Sequence, residues 1–176
     1  MNGVDGSGTG GPGSVIVRAN AALTLVFVVS SLVAAIVFEQ TWKSVAVGVS
    51  LACFAVGVVA FLWGYWNAVQ RSRVDNIGVA ALYFLLGGIA PRSVAVRMNV
   101  LLGVQTVWSI GTAIARGSTD GKPGSTLAFG ILVPMMGLGL NGLWGAFHGT
   151  FEPRAGGGTA GVSPPEAQNG QDGDHE

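Results

Sequence analysis

Few side chains in this sequence are equipped for covalent or acid–base chemistry, and those few do not converge. His148 lies at the end of an apolar stretch and His175 in a polar tail. A nucleophile and its base must come within hydrogen-bond reach, which two such histidines do not supply. Cys53, the single cysteine, sits among apolar residues with nothing basic nearby to hold a thiolate, so it reads as a packing residue. Met135 and Met136 are neighbours. On a helix they point about 100° apart, and a copper site needs more ligands converging. Phosphate-loop, His-Glu-x-x-His and Gly-x-Ser-x-Gly patterns are missing from the sequence. The expectation is a non-enzymatic chain with no catalytic residues, no cofactor and no metal.

What remains is amides and hydroxyls inside apolar runs. Asn141 is the most informative, because an amide at membrane depth is costly without a partner. Gln105, Thr106 and Ser109 in the preceding apolar segment, or Ser50 further back, are its candidate partners. Gln105, Ser109 and Thr112 share one helix face by their spacing of four and three. Gln105, Ser109 and Asn141 thus form a candidate polar site, read first as interhelical glue contributing about 0.6–2 kcal/mol per bond. A site for a polar substrate is the alternative.

These groups need elements to hold them, and composition dictates which. Hydrophobic residues make up 49% of the chain and charged residues 10%. Soluble domains carry about 25% charge, so these faces are expected to meet lipid. The formal net charge is zero, which gives no field to recruit nucleic acid. Four segments, roughly 19–38, 44–66, 95–115 and 125–148, are long enough to cross a hydrocarbon core of about 30 Å. None places an Asp, Glu, Lys, Arg or His centrally, where proton relays and ion-coupled carriers put one. Glu39 sits at the end of the first segment and suits an interface. Trp42, Trp63, Tyr65, Trp66 and Trp144 lie near segment ends, as interfacial anchors do.

A fifth apolar run, Ile77 to Ala90, is short for a crossing and is broken by Gly87-Gly88 and Pro91. Crossing, lying in the interface and re-entry are its three alternatives, of which the interface or re-entry is expected. If it does not cross, Arg18, Arg71, Arg73, Arg92, Arg97 and Arg154 share one side, against Lys43, Arg116 and Lys122 on the other. The positive-inside rule then predicts four crossings of the cell membrane with both termini cytoplasmic. In this topology Arg71, Arg73, Arg92 and Arg97, with Tyr83 and Phe84, would contact lipid headgroups or a partner protein. Asp75 would cap the short helix.

Small residues set the expected packing. Ala46, Ser50, Cys53, Gly57, Ala60, Gly64 and Asn67 fall on one face of the second segment. Gly137, Asn141, Gly145 and Gly149 recur every four residues in the fourth. In lipid, helices associate through close backbone approach, so the two stripes are expected to pack together. Pro134 is expected to kink the fourth segment.

The chain also repeats itself. Arg18-Ala19-Asn20 and Leu62-Trp63-Gly64 return as Arg97-Met98-Asn99 and Leu143-Trp144-Gly145. An all-α integral membrane fold follows: two transmembrane hairpins in parallel repeat, 15–73 and 95–154, around a cytoplasmic linker, 74–94. Glycine-rich residues 1–14 and acidic residues 155–176 are expected to be disordered tails. A cleavage site at Val33-Ala34-Ala35 is set aside, because only Arg18 supplies an n-region charge.

The phrases Asp75-Asn76-Ile77-Gly78-Val79, Ala90-Pro91-Arg92-Ser93 and Val133-Pro134 through Leu143-Trp144 resemble small, uncharacterised multi-pass membrane proteins of high-GC actinobacteria. The resemblance covers about residues 70–154 and implies a membrane location without a function. The expected role is an accessory or scaffold subunit, bound to membrane lipids and to a membrane-protein partner or further copies of itself. The alternative is a small transporter of an uncharged or lipid-like solute.

Overall fold

The computed structural model describes residues 12–37, 39–115, 118–119, 122–123 and 126–153. The expectations for residues 1–11, Arg116, Arg154 and 155–176 lie outside this set. Four spans are long and apolar enough to cross a membrane: Gly13–Val37, Gln40–Arg71, Arg92–Ala115 and Leu127–His148. The protein is a four-span, helical, multi-pass membrane protein by this measure.

Helix α1 (Pro12–Val37) starts on a proline, whose missing N–H costs nothing in a first turn. A tight turn at extended Glu39 leads into α2 (Gln40–Arg71). With 32 residues, α2 is about 48 Å long and outruns a ~30 Å core. Trp63, Tyr65 and Trp66, towards its C-terminal end, are exposed. The run after it forms only a six-residue helix, α3 (Val79–Phe84). Leu85 adopts left-handed φ 52° and Gly87 and Gly88 φ 72° and 80°, which stop the helix. Gly78 occupies the N-cap of α3 without a side-chain cap bond, so Asp75 does not cap it. Helix α4 (Arg92–Ala115) follows Pro91.

Strands β1 (Ser118–Thr119) and β2 (Lys122–Pro123) then form a two-stranded antiparallel ribbon. The last span is composite. A 3-10 helix (Thr126–Leu132) feeds helix α5 (Pro134–His148). Pro134 therefore does not kink a continuous helix, as the sequence had suggested. It sits in the first turn of α5, where no donor is lost. The 3-10 rise of about 2.0 Å per residue lets these 22 residues span more than an α-helix of equal length would.

Helix directions follow from residue contacts. Gly57 abuts Met135–Met136, and Gly64 abuts Gly142–Leu143, so α2 and α5 run parallel. Asn20 meets Met98 and Ser31 meets Trp108, so α1 and α4 also run parallel. Asn141 meets Asn99 while Gly137 meets Gln105, making α4 and α5 antiparallel. The linker of residues 72–91 leaves α2 and enters α4 at the same end of the bundle, hereafter the arginine end. The core lies between the helices, around Phe27, Met98, Val133, Met136, Leu140 and Trp144.

Candidate functional site

Two seams hold the spans together. The first joins α2 to α5. One face of α2 is buried at Lys43, Ala46, Ser50, Cys53, Gly57, Ala60, Gly64 and Ala68, steps of three and four that alternate as far as Gly64. The stripe ends on Ala68 rather than Asn67, whose amide turns back to donate to Trp63 O. A Cβ on Gly57 would come 2.5 Å from Met136 N, and one on Gly64 2.9 Å from Leu143 N. A Cβ on Gly139 would strike the Gly57 carbonyl. These are backbone-to-backbone contacts, the closest approach that glycine permits.

The face of α5 that meets α2 is thus Met135/Met136, Gly139 and Gly142/Leu143. The stripe singled out by spacing turns elsewhere. Gly137 lies under Gln105 and Leu102 of α4, Asn141 meets Asn99, and Gly145 packs under Leu82 and Leu85. Successive members of that stripe therefore face α4 and then the linker. An i,i+4 row identifies a face but not the neighbour it finds.

The second seam is polar and joins α1, α4 and α5. Gln105, fully buried, donates from Nε2 to Asn20 Oδ1 at 3.0 Å and to Thr24 Oγ1 at 2.7 Å. Asn20 Nδ2 points to Met98 Sδ at 3.6 Å. Trp108 Nε1 donates to Ser31 Oγ at 2.8 Å. Ser109 is buried beside Gln105 and spends its hydroxyl on the Gln105 carbonyl. Asn141 Nδ2 donates to Asn99 Oδ1 at 3.2 Å, and Asn99 Nδ2 donates to Phe84 O at 2.8 Å. Gln105 Oε1 and Asn141 Oδ1 are buried acceptors with no donor among the described residues. Gln105, Ser109 and Asn141 do not form one bonded cluster: α1, not Asn141, is the partner of Gln105.

Asn20, Thr24, Ser31, Asn99 and Trp108 were missed from the sequence. Their signal was present: Asn20, Thr24 and Ser31 are spaced by four and seven, a single face of α1. Asn20 and Asn99 also occupy matching places in the internal repeat.

The arginine end is a third construction. Arg71 bonds Asp75 Oδ2 at 3.0 Å, Ala146 O at 2.9 Å and Gly149 O at 3.3 Å. Its guanidinium also covers the Phe151 ring at 5.1 Å. It therefore holds the last carbonyls of α5, where a cation complements the helix dipole. Arg71 was expected to contact lipid or a partner; its donors are instead directed inward. Tyr83 was expected to anchor a partner. It is buried, stacks on Phe61 with ring centroids 4.4 Å apart, and donates to Phe61 O at 3.2 Å. Burial first, then the nearby Tyr65, pushes its phenol up to about 12. Phe84, Arg73, Arg92 and Arg97 are exposed. The linker is strapped to the C-terminal stretch by Asn76 N–H to Glu152 O and Thr150 N–H to Ile89 O. Trp144 is buried and donates to Gly13 O at 3.2 Å, so it ties α1 to α5 rather than anchoring at an interface.

No protein-family model, curated protein or solved structure matches this chain. Among the described residues no three His, Cys, Asp or Glu side chains gather as metal ligands. The seams are built to fix helices relative to one another.

Proposed function

We propose that this chain is a non-enzymatic accessory or scaffold subunit of the cell membrane, which holds a transmembrane helix of a partner protein. The observation that carries this reading is that the buried amide donors are spent between helices: Gln105 on Asn20 and Thr24, Asn141 on Asn99. Polar groups used this way lock a bundle instead of lining a passage. In this reading the partner helix lies in the apolar groove of about 470 Å³ at the junction of α2 and α5. Ala55, Val56 and Val59 form its floor, with Trp63 and Leu143 beside them. Exposed Ala52 and Ala55 leave room for close backbone approach on this side of α2.

The topology belongs to the proposal too. Arg73, Arg92 and Arg97 at one end favour that end, and both termini, on the cytoplasmic side. The two hairpins are read as a parallel repeat. Bonds between α1 and α4 join residues 77, 78, 81 and 85 apart, a range that brackets the sequence offset of the repeated phrases. A pseudo-two-fold axis along the membrane normal would bring equivalent residues together in this way.

A second reading, a carrier of an uncharged solute, is favoured by the two unpaired acceptors, Gln105 Oε1 and Asn141 Oδ1. The experiment is gentle purification from native membrane through a C-terminal tag. A stoichiometric membrane-protein partner that Ala55→Trp displaces supports the subunit. A clean homo-oligomer that moves an uncharged solute across vesicles overturns it.

A further inference from the structure

We infer that the outer face of α4 binds one anionic phospholipid, with an acyl chain in a groove and its phosphate at Arg92. The groove holds about 490 Å³ and is lined by Phe84, Leu86, Asn99, Leu102, Gly103 and Val107, among others. Its floor on α4, from Asn99 to Val107, is about 12 Å long. One leaflet of hydrocarbon is about 15 Å deep, half of a ~30 Å core, so the groove matches a single chain in a single leaflet.

The wall opposite α4 is made by the linker. Left-handed Leu85 turns its own side chain into the core and leaves Phe84 and Leu86 outward. Asn99 fixes this wall by donating to Phe84 O. The floor is open because Gly103 has no side chain, and a Cβ there would meet nothing within 4 Å.

Charge identifies the occupant. Arg92, Asn99 and Thr106 are seven residues apart, two helical turns each, and stack on one face. Asn99 and Thr106 line the groove, so exposed Arg92 stands over its arginine end. Arg97 is also exposed, but it lies about 140° round the helix from Arg92 and does not face the groove. Among the described residues, the acidic groups at this end are Asp75, which Arg71 holds, and Glu152. An apolar slot one leaflet deep, capped by a guanidinium, complements a lipid phosphate with its chain. This inference is independent of the partner reading, which uses the α2–α5 groove and shares no lining residue with this one.

The test is reconstitution in phosphatidylcholine vesicles containing spin-labelled phosphatidylglycerol or spin-labelled phosphatidylcholine, with the motionally restricted lipid read by electron paramagnetic resonance. The expected result is a preference for phosphatidylglycerol that falls about fivefold in Arg92→Ala, equivalent to ~1 kcal/mol for one arginine. Arg73→Ala, the same charge loss elsewhere at this end, should leave it unchanged. Gly103→Phe fills the slot and should remove the preference while α-helical circular dichroism stays intact. Gly111→Phe, on an equally open part of α4 outside the groove, should not. Preference unchanged in both Arg92→Ala and Gly103→Phe overturns the site. So does a photo-crosslinker at position 107 that captures a polypeptide instead of lipid, since the groove would then belong to a helix.

Discussion

The α2–α5 seam and the α1–α4–α5 seam face the same difficulty and answer it differently. Lipid tails are as apolar as leucine, so burying apolar surface gives two helices no reason to associate. Along α2–α5 the answer is proximity: Gly57, Gly64 and Gly139 let backbone touch backbone over several turns. Along α1–α4 the answer is polarity: Asn20, Thr24, Ser31, Gln105 and Trp108 exchange hydrogen bonds. The glycine seam tolerates no added atom but is indifferent to chemistry. The amide seam demands its chemistry but has flexible side chains that absorb small changes in shape. Gly137 is where the two meet, since it must be small to make room for the Gln105 amide.

This contrast orders the consequences of mutation. Gly57→Leu drives a side chain into the Met135–Met136 backbone, which cannot yield as a side chain can. We expect a loss of about 3 kcal/mol or more, seen as failure to recover a monodisperse protein in detergent. Gln105→Leu should cost less, about 1–3 kcal/mol, because it removes the buried donor to Asn20 Oδ1 and Thr24 Oγ1 while filling nearly the same volume. Thermal unfolding followed by circular dichroism reads this. Adding Asn20→Leu to Gln105→Leu should recover part of the loss, since an apolar pair leaves fewer polar groups unpaired.

At the arginine end the effects are smaller. Arg71→Ala releases the Ala146 and Gly149 carbonyls and should raise proteolysis of the C-terminal stretch, at a cost of about 1 kcal/mol given its partial exposure. Tyr83→Phe should cost about 1 kcal/mol through the lost bond to Phe61 O. Its pH dependence has a definite sign. The buried phenol titrates near 12 and an unfolded one near 10, so the native state holds the proton longer. Stability from this group is full below about pH 10 and falls as pH rises towards 12. Tyr83→Phe should abolish that slope in a denaturation series.

The spans and the buried face of α2 were legible in the sequence because both depend on local spacing. Length and apolarity mark a span, and a run of small residues every three or four marks a face. The neighbour of each face was not legible. Gly145 and Gly137 share a row, yet one meets Leu82 of the linker and the other Gln105 of α4. That outcome depends on where the linker folds, which spacing along α5 does not encode. Pro134 misled for a related reason. A proline inside an apolar run reads as a kink, but here the run is two elements, and the proline opens the second. Arg71 and Tyr83 misled because arginines and aromatics flanking a span usually face headgroups. Their inward turn depends on the α5 terminus and Phe61, which lie far from them in sequence.

Cysteine cross-linking across the glycine seam tests the parallel packing of α2 on α5 most directly. Ala60 and Leu140 line the same groove at that junction. In a Cys53→Ser background, Ala60→Cys with Leu140→Cys should form an intramolecular disulfide on mild oxidation in native membranes. Ala60→Cys with Phe147→Cys, about 10 Å further along α5, should not. Cross-linking of the second pair in preference to the first, or of neither, would contradict the seam on which the whole bundle rests.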